Sequence, residues 1–190
     1  MTKNWQVIFG GEGGQGLVVA GVVLGEAAVL DGKNATQTAS YGIASRGGYA
    51  EAQVIISERE IEYPGVEVPD VILALTQDAI DKYYKHLDEK SLVLYDSSTI
   101  TGPYSGKSLI GFPMTEEIRK LKKLENIDIS INVLGLGVLI EETKLISLSS
   151  LEKVLKSRFK KGFDVNWRGV QAGSELVKRY HLMLTEINNT

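Results

Sequence analysis

Six residues, Gly11-Glu12-Gly13-Gly14-Gln15-Gly16, separate one apolar run from another, and no other feature constrains the fold of this chain as strongly. The first run, Trp5–Gly10, reads as a strand buried on both faces. The second, Leu17–Leu30, reads as a helix with the sequence LVVAGVVLGEAAVL. It is apolar nearly all round, so it belongs between layers rather than on an amphipathic surface. Each of its glycines costs about 1 kcal/mol of helix stability against alanine, which close backbone packing would offset. A buried strand, a glycine turn and a buried helix in succession open an α/β domain.

The rest of the chain continues the alternation. Ala35–Ser40 and Ala50–Ser57 read as strands, and Asp70–Leu75 and Ser91–Asp96 as short central parallel strands. Asp78–Leu87 between them fits a helix with Thr76 as its cap. Ser108–Pro113 is a further strand, followed by a helix over Glu116–Leu124. Ile127–Ile140 reads as a strand that turns into a helix near Asn132. Ser149 and Glu152 have capping-box spacing, which predicts a helix start there. After Asn166, residues Val170, Gly173, Val177, Tyr180, Leu184 and Ile187 follow in helical steps on one stripe. The expected architecture is one three-layer α/β domain over residues 1–190, with a mostly parallel central sheet.

Composition removes several kinds of chemistry. The chain has no cysteine, so it offers no disulfide, no thiolate nucleophile and no four-thiolate seat for an iron–sulfur cluster. Its histidines are two, His86 and His181, which leaves little for a histidine metal site. The net charge of −3 lacks a basic block of the kind that grips nucleic acid. Lys120–Lys123 and Lys156–Lys161 read as solvated helix faces. The apolar run at Leu17–Leu30 is too short for a bilayer, which takes about 20 residues, and no secretory signal is read at the start. Those readings lead to the expectation of a cytoplasmic protein bound to neither membrane nor nucleic acid.

The turn at Gly11–Gly16 fits the dinucleotide fingerprint G-x-G-x-x-G in the required strand–turn–helix setting. A stand-alone NAD(P)- or FAD-binding protein is therefore one reading. Glu12 opposes it, because its carboxylate falls where a pyrophosphate would sit. The acid expected about 20 positions later is also out of place, since Asp31 precedes the second strand. The other readings are a turn made only for packing and a turn that meets a partner subunit or its cofactor. A second unusual segment, Ser40–Gly48, combines Tyr41 and Gly42 with Arg46, Gly47 and Gly48. Its lone guanidinium suits a carboxylate or phosphate, although capping of local carbonyls would also occupy it. Neither Ser40 nor Ser45 sits in a nucleophile elbow.

Taken in order, these segments resemble the gamma subunits of 2-oxoacid:ferredoxin oxidoreductases. The residues that carry the resemblance begin with Gly11–Gly16, Ala20-Gly21 and Leu24. They continue with Thr38–Gly48, then Ile61, Pro64 and Pro69-Asp70, then Asn132 and Leu134-Gly135, and finally Asn166 and Gly173. The stretch Gln37–Gly48 and the run Ile61–Pro64 are most similar to the 2-oxoglutarate branch. Many relatives carry an acid shortly before the arginine, where this chain has Ile43-Ala44-Ser45. The resemblance implies a complex that decarboxylates a 2-oxoacid on thiamine diphosphate, transfers the acyl group to coenzyme A and passes electrons through [4Fe-4S] clusters to ferredoxin. It implies alpha and beta partner subunits, with a delta subunit as a further candidate, and a homodimer as the form open to the isolated chain. No cofactor is expected in this chain and no catalytic residue is assigned. The expected partner- or cofactor-facing residues are Gly11, Gly13, Gly14, Gln15, Gly16, Tyr41, Gly42, Arg46, Gly47 and Gly48, with both loops side by side at the C-terminal strand ends.

Overall fold

Short apolar runs become strands wherever both faces are covered, and Val71–Ala74 is buried at every position. The structure, a computed structural model, describes residues 4–41, 48–84, 87–102, 104 and 108–188. Its strands are β1 (Trp5–Glu12), β2 (Asn34–Tyr41), β3 (Tyr49–Ser57), β4 (Val71–Ala74), β5 (Leu92–Asp96) and β6 (Leu109–Phe112). They form one six-stranded sheet in the order β2-β3-β1-β4-β5-β6. β1, β4, β5 and β6 are mutually parallel, while β3 runs antiparallel between β1 and β2. The mostly parallel sheet agrees with the alternating pattern of the sequence.

The helices are α1 (Leu17–Leu30), α2 (Gln77–Tyr84), α3 (Met114–Glu125), α4 (Ile131–Thr143), α5 (Leu148–Arg158) and α6 (Phe163–Asn188). Side chains alternate across β1, and the alternation defines two cores. Val7 and Phe9 join the larger one with α1, α4, α5 and α6, including Leu24, Leu134, Leu155 and Val170. Ile8 joins the smaller one beneath α2, with Ile72, Ala74, Ala79 and Ile80. The three layers are therefore unequal.

α4 is apolar all round because it lies between the sheet and α6. It is buried from Asn132 to Ile140. A Cβ on Gly173 would lie 2.2 Å from the carbonyl oxygen of Leu134, so the two helices cross backbone on backbone. Phe112 of β6 meets the ring of Tyr180 edge-on at 5.2 Å, which seats the middle of α6 on the sheet edge.

α1 ends in a Schellman motif. The amide of Lys33 donates to Ala28 O and that of Gly32 to Val29 O, both at 3.0 Å. Gly32 takes the left-handed conformation this stop requires, with φ 78°. The Asp31 carboxylate then accepts from Ser147 N at 2.6 Å, Ser147 Oγ at 2.7 Å and Ser150 Oγ at 2.6 Å. Partial burial pushes the Asp31 carboxyl up, but the Ser150 and Ser147 hydrogen bonds outweigh it and hold it below its ordinary value.

Three expectations are corrected. α5 starts at Leu148 with Ser147 as its cap, not at the Ser149–Glu152 box, because Ser147 Oγ accepts from Ser150 N at 3.1 Å while Asp31 orients it. Ile127–Ile140 contains no strand, and its helix begins at Ile131. α6 begins at Phe163, one turn before Asn166, and its apolar stripe runs past the core, leaving Leu184 and Ile187 exposed. Thr76 does precede α2, and its carbonyl accepts from Ala79 N and Ile80 N.

Candidate functional site

Three chain ends meet at one end of the sheet. β1 ends at Glu12, β2 at Tyr41, and β3 starts at Tyr49, with Glu12 paired to Tyr49 and Tyr41 to Ala50. The parallel strands β4 and β5 point their C-terminal ends the same way. In open α/β sheets that rim is where ligands bind.

The glycine turn is closed by its own residues. Glu12 N donates to Gln15 Oε1 at 2.8 Å, and Gln15 N donates to Glu12 O at 3.1 Å. The Gln15 side chain lies over Gly11, where a Cβ would be 2.3 Å from Oε1. Gly16 precedes α1 with φ 77°, and its carbonyl accepts from Asn132 Nδ2 at 3.0 Å. A Cβ on Gly16 would meet that amide nitrogen at 2.5 Å. Asn132 belongs to the first turn of α4, so one side chain joins the N-termini of α1 and α4.

These helix starts border a cleft of about 460 Å³ whose lining includes Gly14, Gln15, Gly16, Ser130, Asn132 and Asn166. Positions read as separate landmarks along the sequence thus share one wall. The first-turn amides of a helix have no partner within it, so this rim is rich in donors. Among the described residues that line it none carries a charge, so their chemistry is that of hydrogen bonding and shape.

The second segment meets the first through the backbone. Gly13 N donates to Gly48 O at 2.9 Å. Of the two loops expected side by side, Gly13 and Gly48 are the residues this bond joins. Gly42, Arg46 and Gly47 lie outside the described residues, and Tyr41 is placed as the last residue of β2.

Two acidic residues behind this rim are not legible as site components in the sequence. Glu51 on β3, only 4% exposed, accepts from Tyr49 OH at 2.5 Å, Lys82 Nζ at 2.6 Å, Tyr83 OH at 2.7 Å and Gln53 Nε2 at 2.9 Å. Burial pushes this carboxyl up, and the donors, Lys82 foremost, more than reverse it, to about 2. Burial and the hydrogen bond to Glu51 push the Tyr49 and Tyr83 phenols upward, so both stay protonated donors. Asp96, fully buried at the end of β5, accepts from Ser98 N at 3.0 Å and Thr115 N at 3.3 Å, and from the Thr115 hydroxyl. It ties the turn after β5 to the start of α3, whose Pro113 supplies no side-chain cap. The only hint in the sequence was the position of each acid on or beside an apolar strand.

The dinucleotide reading is overturned by the topology. The fingerprint needs β1 and the next strand to be parallel neighbours around the helix. Here antiparallel β3 lies between β1 and β2. Asp31 stands at the far end of the 14-residue α1, about 20 Å from the turn at 1.5 Å per residue, and is held by Ser147 and Ser150. Among the described residues, no group of three or more His, Asp or Glu could hold a metal ion, and no helix is long and apolar enough to cross a membrane.

Residues 6–176 match the family described as pyruvate ferredoxin/flavodoxin oxidoreductase. The 2-oxoglutarate synthase subunit KorC of Archaeoglobus fulgidus is 35% identical over 182 residues, which are 94% of this chain and 91% of that one. The crystal structure of a keto/oxoacid ferredoxin oxidoreductase gamma subunit from Geobacter sulfurreducens superposes with a TM-score of 0.77 at 35% identity, covering 92% of this chain and 99% of that one. A 2-oxoglutarate:ferredoxin oxidoreductase from Magnetococcus marinus, with 2-oxoglutarate, coenzyme A and succinyl-CoA bound, shares the fold with a TM-score of 0.83 at 23% identity. The matched part covers 94% of this chain and 32% of that one.

Proposed function

Because the chain belongs to the pyruvate ferredoxin/flavodoxin oxidoreductase family, we propose that it works as the gamma subunit of a 2-oxoglutarate:ferredoxin oxidoreductase complex. The complex converts 2-oxoglutarate and coenzyme A, with oxidised ferredoxin as electron acceptor, into succinyl-CoA, carbon dioxide and reduced ferredoxin. The observation that carries this reading is the near end-to-end match to a subunit named for 2-oxoglutarate synthase, 94% of one chain against 91% of the other.

This chain's residues fit a docking role. It has no cysteine to hold an electron-transfer cluster by thiolates. On the family reading, alpha and beta partner subunits supply thiamine diphosphate and [4Fe-4S] clusters, and the assembled enzyme takes up coenzyme A in the cytoplasm. The partner-facing rim comprises Gly11, Gly13, Gly14, Gln15, Gly16 and Gly48, together with Tyr41, Gly42, Arg46 and Gly47 on sequence grounds. Gly14 leaves open room for a second backbone, whereas the space at Gly11 and Gly16 is taken by Gln15 and Asn132. A further uncovered surface supports a docked partner. α1 exposes Val29 (57%) and Leu30 (56%) beside a groove of about 740 Å³. The adjoining edge strand β2 carries no charged residue along its length, unlike the charged edges that keep strands from pairing.

The test is purification of the tagged chain from its native cells, native mass spectrometry of the product, and assays for thiamine diphosphate and iron. A large assembly holding both cofactors and oxidising 2-oxoglutarate is the expected result. A bare monomer or homodimer that purifies without either cofactor overturns it. An assembly with both cofactors that oxidises a different 2-oxoacid keeps the subunit role and rejects the substrate.

A further inference from the structure

Glu51 occupies a position that the fold would more simply give to an apolar residue. It sits on β3 opposite Gly10 of β1, on the face that packs beneath α2 against Ile8, Ala79 and Ile80. α2 approaches closely there, since a Cβ on Gly10 would come within 3.0 Å of the Ala79 Cβ and 3.5 Å of Tyr49 OH. Removing a carboxylate from water is costly, and a buried ion pair often adds no net stability over well-packed apolar residues. What it adds over apolar packing is direction. Both Glu51 oxygens are engaged, Oε1 by Gln53 and Oε2 by Lys82, Tyr49 and Tyr83. The Lys82 ammonium also stands 4.6 Å from the Tyr49 ring centre and 5.1 Å from that of Tyr83. Lys82 and Tyr83 tie the carboxylate to α2, while Tyr49 and Gln53 hold it from β3 itself.

The bond to Tyr49 reaches the rim. Tyr49 follows Gly48, whose carbonyl receives the amide of Gly13. Gly13 itself has no side chain, so its position depends on backbone contacts. We propose that Glu51 is a positioning residue, which through Tyr49 fixes Gly48 against Gly13 and so sets the shape of the rim without touching substrate or cofactor. This rests on the reading of that rim as the partner-facing surface.

Two readouts separate the positioning role from that reading. The double variant Glu51→Leu/Lys82→Leu replaces the ion pair by apolar residues of similar size, and Tyr49→Phe removes a single donor should the double variant not fold. The first measurement is amide exchange in the purified subunit, region by region. The expected result is exchange about tenfold faster at residues 13–17 and 48–50 in the double variant, and about threefold faster in Tyr49→Phe, with exchange in the remaining strands unchanged. Exchange at the rim equal to wild type in either folded variant, or exchange that rises uniformly through the sheet, overturns the proposal. The second measurement is the affinity of the same variants for the partner subunits, expected to fall about tenfold for the double variant, an order of magnitude in Kd. A rim loosened with partner affinity unchanged leaves Glu51 as the positioning residue and rejects the partner-facing reading of the rim.

Discussion

A Cβ atom placed on Gly137 of α4 would lie 2.2 Å from the carbonyl oxygen of Val170 in α6. The obstacle is backbone, so no rotamer change relieves it. It faces the reciprocal contact of Gly173 on the Leu134 carbonyl, and the two glycines together set how closely the helices cross. α4 in turn packs on the sheet, where Gly135 leaves room for Leu73.

Gly137→Ala is therefore expected to destabilise the subunit by about 3 kcal/mol, at the upper end of overpacking costs. Gly25→Ala on α1 is the contrasting case. Its Cβ would make an ordinary 3.7 Å contact with Ala35, so the helix should gain up to about 1 kcal/mol. Urea unfolding of the two variants measures both signs in one experiment.

Glu51 should make the fold sensitive to acid in a defined window. Its carboxyl is held at about 2 in the folded chain against 4.5 as its ordinary value. A depressed folded pKa contributes stability that is fully present above the unfolded value and is lost as pH falls through the folded one. The loss attributable to Glu51 should thus run from about pH 4.5 down to about pH 2. Comparing unfolding free energies of wild type and Glu51→Gln from pH 7 to pH 3 should show the difference between them shrinking toward the acid end. A difference that stays constant over that range removes the carboxylate from the account.

Gly16 and Asn132 should be energetically coupled. Asn132→Ala removes the hydrogen bond to the Gly16 carbonyl and is expected to cost about 1 kcal/mol. Gly16→Ala should cost more, through both its φ of 77° and the 2.5 Å approach to Asn132 Nδ2. With Asn132→Ala already present, only the conformational part remains. A double-mutant cycle should therefore return a coupling of about 1 kcal/mol or more, whereas simple additivity would separate the two sites.

Ser147→Ala removes the α5 cap and one donor to Asp31, and about 1–2 kcal/mol should be lost. Ser149→Ala, at the position that the capping-box spacing singles out, should change stability by less than about 0.5 kcal/mol. Thermal melts of the two variants distinguish the two candidate caps.

The local sequence determined which elements exist. Trp5–Gly10, Asp70–Leu75 and Ser91–Asp96 are apolar runs that only covered strands accommodate, and Leu17–Leu30 is too apolar for a surface helix. The glycine turn was visible by spacing, and the order of landmarks along the chain carried the family resemblance. Periodicity and turn chemistry act over a few residues, so they survive without knowledge of the fold.

Tertiary structure decided what those local rules leave open. The placement of β3 between β1 and β2 separates this turn from a dinucleotide site, and strand order is a long-range choice that spacing does not encode. The cap of α5 moved to Ser147 because Asp31, distant in sequence, reaches it. Glu51 lies on a strand whose local pattern says nothing of Lys82 and Tyr83, which arrive on α2, the helix that follows β4 in the chain. A buried charge is tolerable only where distant donors converge, and convergence of that kind is set by how the elements pack, after each has formed.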